Sequence, residues 1–110
     1  MLGCDFHCSY CQNWDISQAV RDPEAGVEPT DVTPEKISQI AYQLKASLVV
    51  SSYNEPLITA EWAMAVFQIA KQNGFKTAFV SNGNGTPEVL NFIRPYTDSC
   101  LSHFSVPQID

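Results

Sequence analysis

Residues 33–98 alternate between helical and extended patterning, and this alternation limits the folds open to the chain more than any other feature. Thr33-Pro34 reads as an N-cap followed by a first-turn proline. Ile37, Ile40, Ala41 and Leu44 then recur at i, i+3, i+4 and i+7, one face of a helix. Residues 48–53 are β-branched and apolar, in a run short enough for a buried strand. A second helix follows, with Thr59 as its N-cap and Trp62, Val66, Ile69 and Ala70 inward, and Asn73-Gly74 stops it. Residues 76–81, carrying Ala78, Phe79 and Val80, form the next strand. Asn82-Gly83-Asn84-Gly85 turns the chain into a third helix, with Thr86-Pro87 at its start, Val89, Leu90 and Ile93 inward and Pro95 at its end. Residues 99–106 are a weaker strand candidate.

Strands joined through helices of this length are parallel neighbours, so the fold class is α/β. Parallel strands need both faces covered and have no tolerance for open edges. A closed barrel of such units takes about 250 residues, against the 110 present. The expected architecture is a partial (β/α) barrel, with a cysteine loop and linker over residues 1–32, helix–strand units over 33–98 and a divergent end over 99–110. Trp62, Phe67 and Phe79 are read as core.

Composition narrows the class of function. Twelve acidic residues against six basic ones give a net charge of −6. No Lys/Arg cluster is available to track phosphates, which argues against a nucleic-acid partner. No apolar run approaches the roughly 18 residues of a membrane span. The start, Met1-Leu2-Gly3-Cys4, has neither a basic nor an apolar leader region, so the expected compartment is the cytoplasm.

Three of the four cysteines, Cys4, Cys8 and Cys11, fall within eight residues near the start, spaced C-x3-C-x2-C, while Cys100 stands apart. Clustering of this kind reads as a metal or redox site in a reducing compartment, not a disulfide framework. Three thiolates on a tight loop can each hold one iron of a cubane cluster and leave the fourth iron open, the mark of a site that does chemistry. The rival is a structural module holding zinc or a cluster without catalysis. Zinc wants four ligands, usually as two pairs, so His7 or Cys100 would have to complete the set.

Two further segments sit where strands end. Asn54-Glu55-Pro56 follows the first strand, and Ser81-Asn82-Gly83 follows the second. In a parallel barrel that rim carries the ligand site. A carboxylate there can accept charge-assisted hydrogen bonds from an ammonium group, and Gly83 lets backbone approach a ligand closely. Taken alone, each segment is also an ordinary turn ahead of a helix, with Glu55 near its positive end. Trp14, three residues past Cys11, is placed to shield whatever the cysteines hold, and His7 and His103 are read as ordinary residues.

The C-x3-C-x2-C loop, with aromatic Tyr10 before its last cysteine, resembles the signature of the radical S-adenosylmethionine (SAM) superfamily. The continuation Gln12-Asn13-Trp14-Asp15-Ile16-Ser17-Gln18 is similar to proteins akin to pyruvate formate-lyase activating enzyme, and most of all to the AmmeMemoRadiSam type. The likeness runs over residues 3–98. It implies that Cys4, Cys8 and Cys11 hold a [4Fe–4S] cluster whose open iron binds the amino and carboxylate groups of SAM. Tyr10 would lie against the adenine, Asn54 and Glu55 would meet the amino group, and Ser81, Asn82 and Gly83 would lie beside the sulfonium and ribose. One electron from the reduced cluster would then cleave SAM to methionine and a 5′-deoxyadenosyl radical that takes hydrogen from a substrate. A reductant such as flavodoxin or ferredoxin is the implied partner, and the substrate, a small molecule or a protein, is left open. Activation of a glycyl-radical enzyme is the alternative activity. After Asp98 the family pattern has an Asp-x-Lys strand that also contributes to SAM binding. Residues 99–106 lack that pair, so this contact has no counterpart here.

Overall fold

Two of the helices begin where a threonine hydroxyl replaces a missing backbone partner. The computed structural model describes residues 1–25 and 27–102. Thr33 Oγ1 accepts from Lys36 N at 3.3 Å, and Pro34 opens helix α2, Pro34–Gln43. Thr86 repeats the device on Val89 N at 3.4 Å, ahead of α4, Pro87–Ile93. Between them lies α3, Ala60–Gln72, which ends at Asn73 with Gly74 in the left-handed region at φ 81°. The strands are β1 (Leu48–Ser51), β2 (Lys76–Ser81) and β3 (Ser99–Ser102).

All three strands are parallel in the order β1-β2-β3, with Leu48 opposite Lys76 and Ala78 opposite Ser99. The α/β class and the parallel sheet of a partial radical SAM β/α fold are therefore as expected, with β3 accounting for the weakest strand candidate. The last four positions of that candidate, and His103 with them, lie outside the described residues.

The core lies between α3 and the sheet. Ala63, Met64, Val66, Phe67 and Ala70 of α3 meet Val49 of β1, Phe79 of β2, Ala41 of α2 and Ile93 of α4. Phe67 and Phe79 pack edge to face, their ring centroids 5.1 Å apart. The inward arc of α3 is thus centred one residue beyond the expected one. It packs on the sheet and on α2 together, which leaves Trp62 at 36 % exposure, and Ile69 only half-buried. Likewise Ile40 of α2, its capping residue Leu44 and Leu90 of α4 are exposed, since the core is reached by Ile37 and Ala41 of α2 and by Val89 and Ile93 of α4.

Local geometry departs from expectation in three places. β1 ends at Ser51, because Tyr53 and Asn54 enter the left-handed region at φ 68° and 58° and cannot extend a strand. A single 3₁₀ turn, Pro56–Thr59, precedes α3 and is capped by Glu55, whose Oε1 accepts from Leu57 N at 2.9 Å. Thr59 precedes α3 but makes no side-chain cap, its hydroxyl donating instead to Pro56 O. The first third also holds a one-turn helix, α1 (Trp14–Ser17), too short to show as periodicity in the sequence.

Candidate functional site

The C-terminal ends of β1 and β2 lie side by side, and the cysteine loop is fastened over them by side chains. The Asp5 carboxylate accepts from Asn82 Nδ2 at 2.8 Å and from Asn84 Nδ2 at 2.6 Å. At the other end of the rim, Asn54 Nδ2 donates to Met1 O at 2.9 Å. Gly3 N donates to Ile16 O at 2.8 Å, with Gly3 at φ 95°, so the loop returns on α1. Within the loop, Cys11 N donates to Cys8 O at 3.2 Å, a turn that brings the second and third cysteines together.

Cys4, Cys8 and Cys11 are free, half-buried thiols, and all three line one cleft of about 510 Å³. Tyr10, Asn54 and Asn82 line the same cleft. This volume falls in the range of small-molecule and cofactor sites. Burial pushes the Cys4 thiol above its ordinary value and the Asp5 charge adds to the push, while a backbone hydrogen bond at Phe6 opposes them. Burial also pushes the Asp5 carboxyl up, but the amides of Asn84 and Asn82 outweigh it and hold the group below its ordinary value. The loop's anchor is therefore a carboxylate at neutral pH.

Of the remaining expected site residues, Glu55 and Ser81 stand behind the wall of the cleft, and the exposed Gly83 is not part of it. Glu55 is 1 % exposed; its Oε1 accepts from Ser81 Oγ at 2.9 Å and its Oε2 from Asn82 N at 2.6 Å. Ser81 is buried and accepts in turn from Gly83 N at 3.0 Å. Gly83 turns the chain at φ 84°. Asn82 has both ends of its amide engaged, since its Oδ1 accepts from Asn84 N at 2.8 Å. Asn54 differs: its Oδ1 is buried and has no protein partner, which leaves an acceptor free in a residue that lines the cleft.

Sequence reasoning assigns no role to Asp5, Asn84, Ser17 or Gln18. Asp5 and Asn84 hold the loop on the rim, and Ser17 and Gln18 are buried beneath it. Trp14 is half-buried at the start of α1, and the cleft wall does not include it. Among the described residues, no three His, Cys, Asp or Glu side chains are gathered so as to hold a metal ion. A donor set of three free thiols suits a multi-iron group, one iron per thiolate, better than a zinc ion that wants four ligands. No helix among the described residues is long and apolar enough to cross a membrane.

Comparison with known proteins places the chain in a family. Over 81 residues the chain is 33 % identical to an uncharacterized protein of Methanocaldococcus jannaschii, covering 74 % of the chain and 23 % of that protein. It is 27 % identical to the 7-carboxy-7-deazaguanine synthase of Thermococcus kodakarensis, covering 87 % of the chain and 43 % of the synthase. The chain thus spans less than half the length of either relative. Residues 1–107 match the family described as the Radical SAM superfamily, and with nearly the whole chain matched, this protein belongs to that superfamily.

Proposed function

We propose that Cys4, Cys8 and Cys11 hold a [4Fe–4S] cluster, that SAM binds in the adjoining cleft, and that the chain forms the cofactor-binding part of a radical SAM enzyme. The observation that carries this reading is that three free thiols line one cleft at the C-terminal rim of a parallel sheet. When bound, the cluster supplies the electron that cleaves SAM and so yields a radical able to take hydrogen from a substrate.

The chain's own residues serve binding and orientation. Asn54 lines the cleft, and its Oδ1, buried and without a protein partner, is an acceptor suited to an ammonium group. Tyr10, exposed at the rim, offers a flat face and a backbone edge to a nucleobase. Glu55 and Ser81 act one layer back, fixing Asn82 and the turn at Gly83 so that the floor of the cleft keeps its shape. That reading gives Glu55 a supporting role in the ligand-free protein and leaves contact with the SAM amino group to Asn54.

Within the superfamily, the Gln12–Gln18 run supports placement near the pyruvate formate-lyase activating enzymes, and in particular the AmmeMemoRadiSam type. The similarity to a synthase supports an enzymatic role. Flavodoxin or ferredoxin is the proposed reductant. The test is anaerobic iron–sulfur reconstitution followed by EPR of the reduced protein with and without SAM. A [4Fe–4S]⁺ signal that shifts on adding SAM is the expected result. A signal indifferent to SAM would remove the nucleoside site from the proposal, and a colourless protein holding zinc would replace the proposal with a structural module.

A further inference from the structure

Ser17 and Gln18 are, at 1 % and 2 % exposure, among the most completely buried polar residues of the chain, and they lie directly under the cysteine loop. Gln18 Nε2 donates to Phe6 O at 3.0 Å and to Ser17 Oγ at 3.2 Å. Its Oε1 has no partner. The orientation of the amide is nonetheless fixed, because turning it over would set Oε1 against the Phe6 carbonyl, acceptor against acceptor. A buried amide with an orphan carbonyl is a poor device for stability alone, and its presence calls for another explanation.

The hydroxyl that Gln18 orients supplies one. Ser17 Oγ lies 3.6 Å from Cys11 Sγ and 3.3 Å from Trp14 O. With Gln18 Nε2 occupying an acceptor lone pair, the single Ser17 hydrogen is left to choose between those two acceptors. Trp14 O already accepts from Gln18 N at 2.9 Å. A metal-bound thiolate has no hydrogen to give and is the more negative acceptor, so the contact then has one polarity, O–H toward sulfur. No bulk water reaches either residue to compete for it.

We infer that Ser17, oriented by Gln18, donates a hydrogen bond to the Cys11 thiolate and makes the iron–sulfur centre easier to reduce. The inference rests on the cluster reading above. Hydrogen bonds to ligand sulfurs stabilise the more negative, reduced form and are among the means by which proteins set cluster potentials. Ser17 is a positioning residue here, acting on the centre through Cys11.

The test is a potentiometric titration of the anaerobically reconstituted chain, read by EPR without SAM, beside iron content and the melting temperature of the metal-free chain. Ser17→Ala is expected to take up the same iron as the parent and to show a more negative midpoint potential. Ser17→Thr, which keeps the hydroxyl, should return toward the parent value, and Gln18→Leu should shift in the same direction as Ser17→Ala. A purely structural role would move the melting temperature of the metal-free chain and leave the potential in place. An unchanged potential in Ser17→Ala at equal iron content overturns the inference and leaves the cluster reading standing. Should Ser17→Ala assemble no centre, Gln18→Leu decides by the same criterion. A parent chain that assembles no cluster overturns both.

Discussion

The Glu55 carboxylate receives three hydrogen bonds, from Leu57 N, Ser81 Oγ and Asn82 N, and is almost wholly removed from water. Hydrogen bonds to a buried charge are individually strong, and deleting the acceptor strands every donor that faced it. Glu55→Ala should therefore destabilise the metal-free chain by about 3 kcal/mol, read as a shift in the urea unfolding midpoint. A loss below about 0.5 kcal/mol would mean that water takes the carboxylate's place. From the sequence, Glu55 is legible as a rim residue and as a cap, and in the structure it caps the 3₁₀ turn that follows β1. Its bonds to Ser81 and Asn82 bridge 26 and 27 positions, which no local pattern announces. The cysteines are the opposite case. Their chemistry is carried by residue type and spacing, so Cys4, Cys8 and Cys11 stand out in the bare sequence. Asp5, inside the same loop, does not, because its partners Asn82 and Asn84 come from another strand end.

At the scale of elements, the capped starts of α2 and α4 are readable because Thr-Pro carries its own geometry. The turn before α3 is not, since a 3₁₀ turn and a helix share the same opening residues. Opposite the cysteine loop, Asp98 clasps three elements at the start of β3. It accepts from Lys71 Nζ of α3 at 2.6 Å and from Thr77 N of β2 at 2.9 Å, while its own N–H donates to Thr77 O at 3.0 Å. The Lys71 ammonium first, and the Thr77 backbone second, hold its carboxyl down to about 2, against an ordinary 3.8. A value lowered by folding means that the clasp contributes fully above the ordinary value and is lost as the carboxyl protonates through about 2. Asp98→Asn should thus be less stable than the parent at neutral pH, with the gap closing progressively below about pH 4. Urea midpoints of both proteins across that interval provide the measurement, and a gap independent of pH would refute the assignment.

At the scale of the whole molecule, apolar surface is left uncovered on the helices and at both sheet edges. Leu44 of α2 is 75 % exposed, Leu48 and Val50 project from β1, and Leu101 from β3, where every residue is exposed. Among the described residues β1 and β3 each pair on one side only. Unpaired strand edges flanked by exposed apolar side chains recruit other strands. The 110-residue chain is therefore expected to self-associate, with an apparent mass in light scattering that rises with concentration. A mass that stays at the monomer value across the concentration range would contradict this. The same exposure explains why helix faces are only partly legible. Periodicity marks Ile40, Leu44 and Leu90 as inward, and among the described residues they remain exposed.

The fastening of the cysteine loop by Asp5 has a consequence in time. Asn82 follows Asp5 by 77 positions. At a synthesis rate of about 5–20 residues per second, roughly 4–15 s separate the two on the ribosome. Throughout that interval the three thiols exist without the amides that hold their loop in place. If the cysteines hold the proposed cluster, whatever delivers iron and sulfide before then meets an unformed receptacle, so metallation follows the laying down of the second strand.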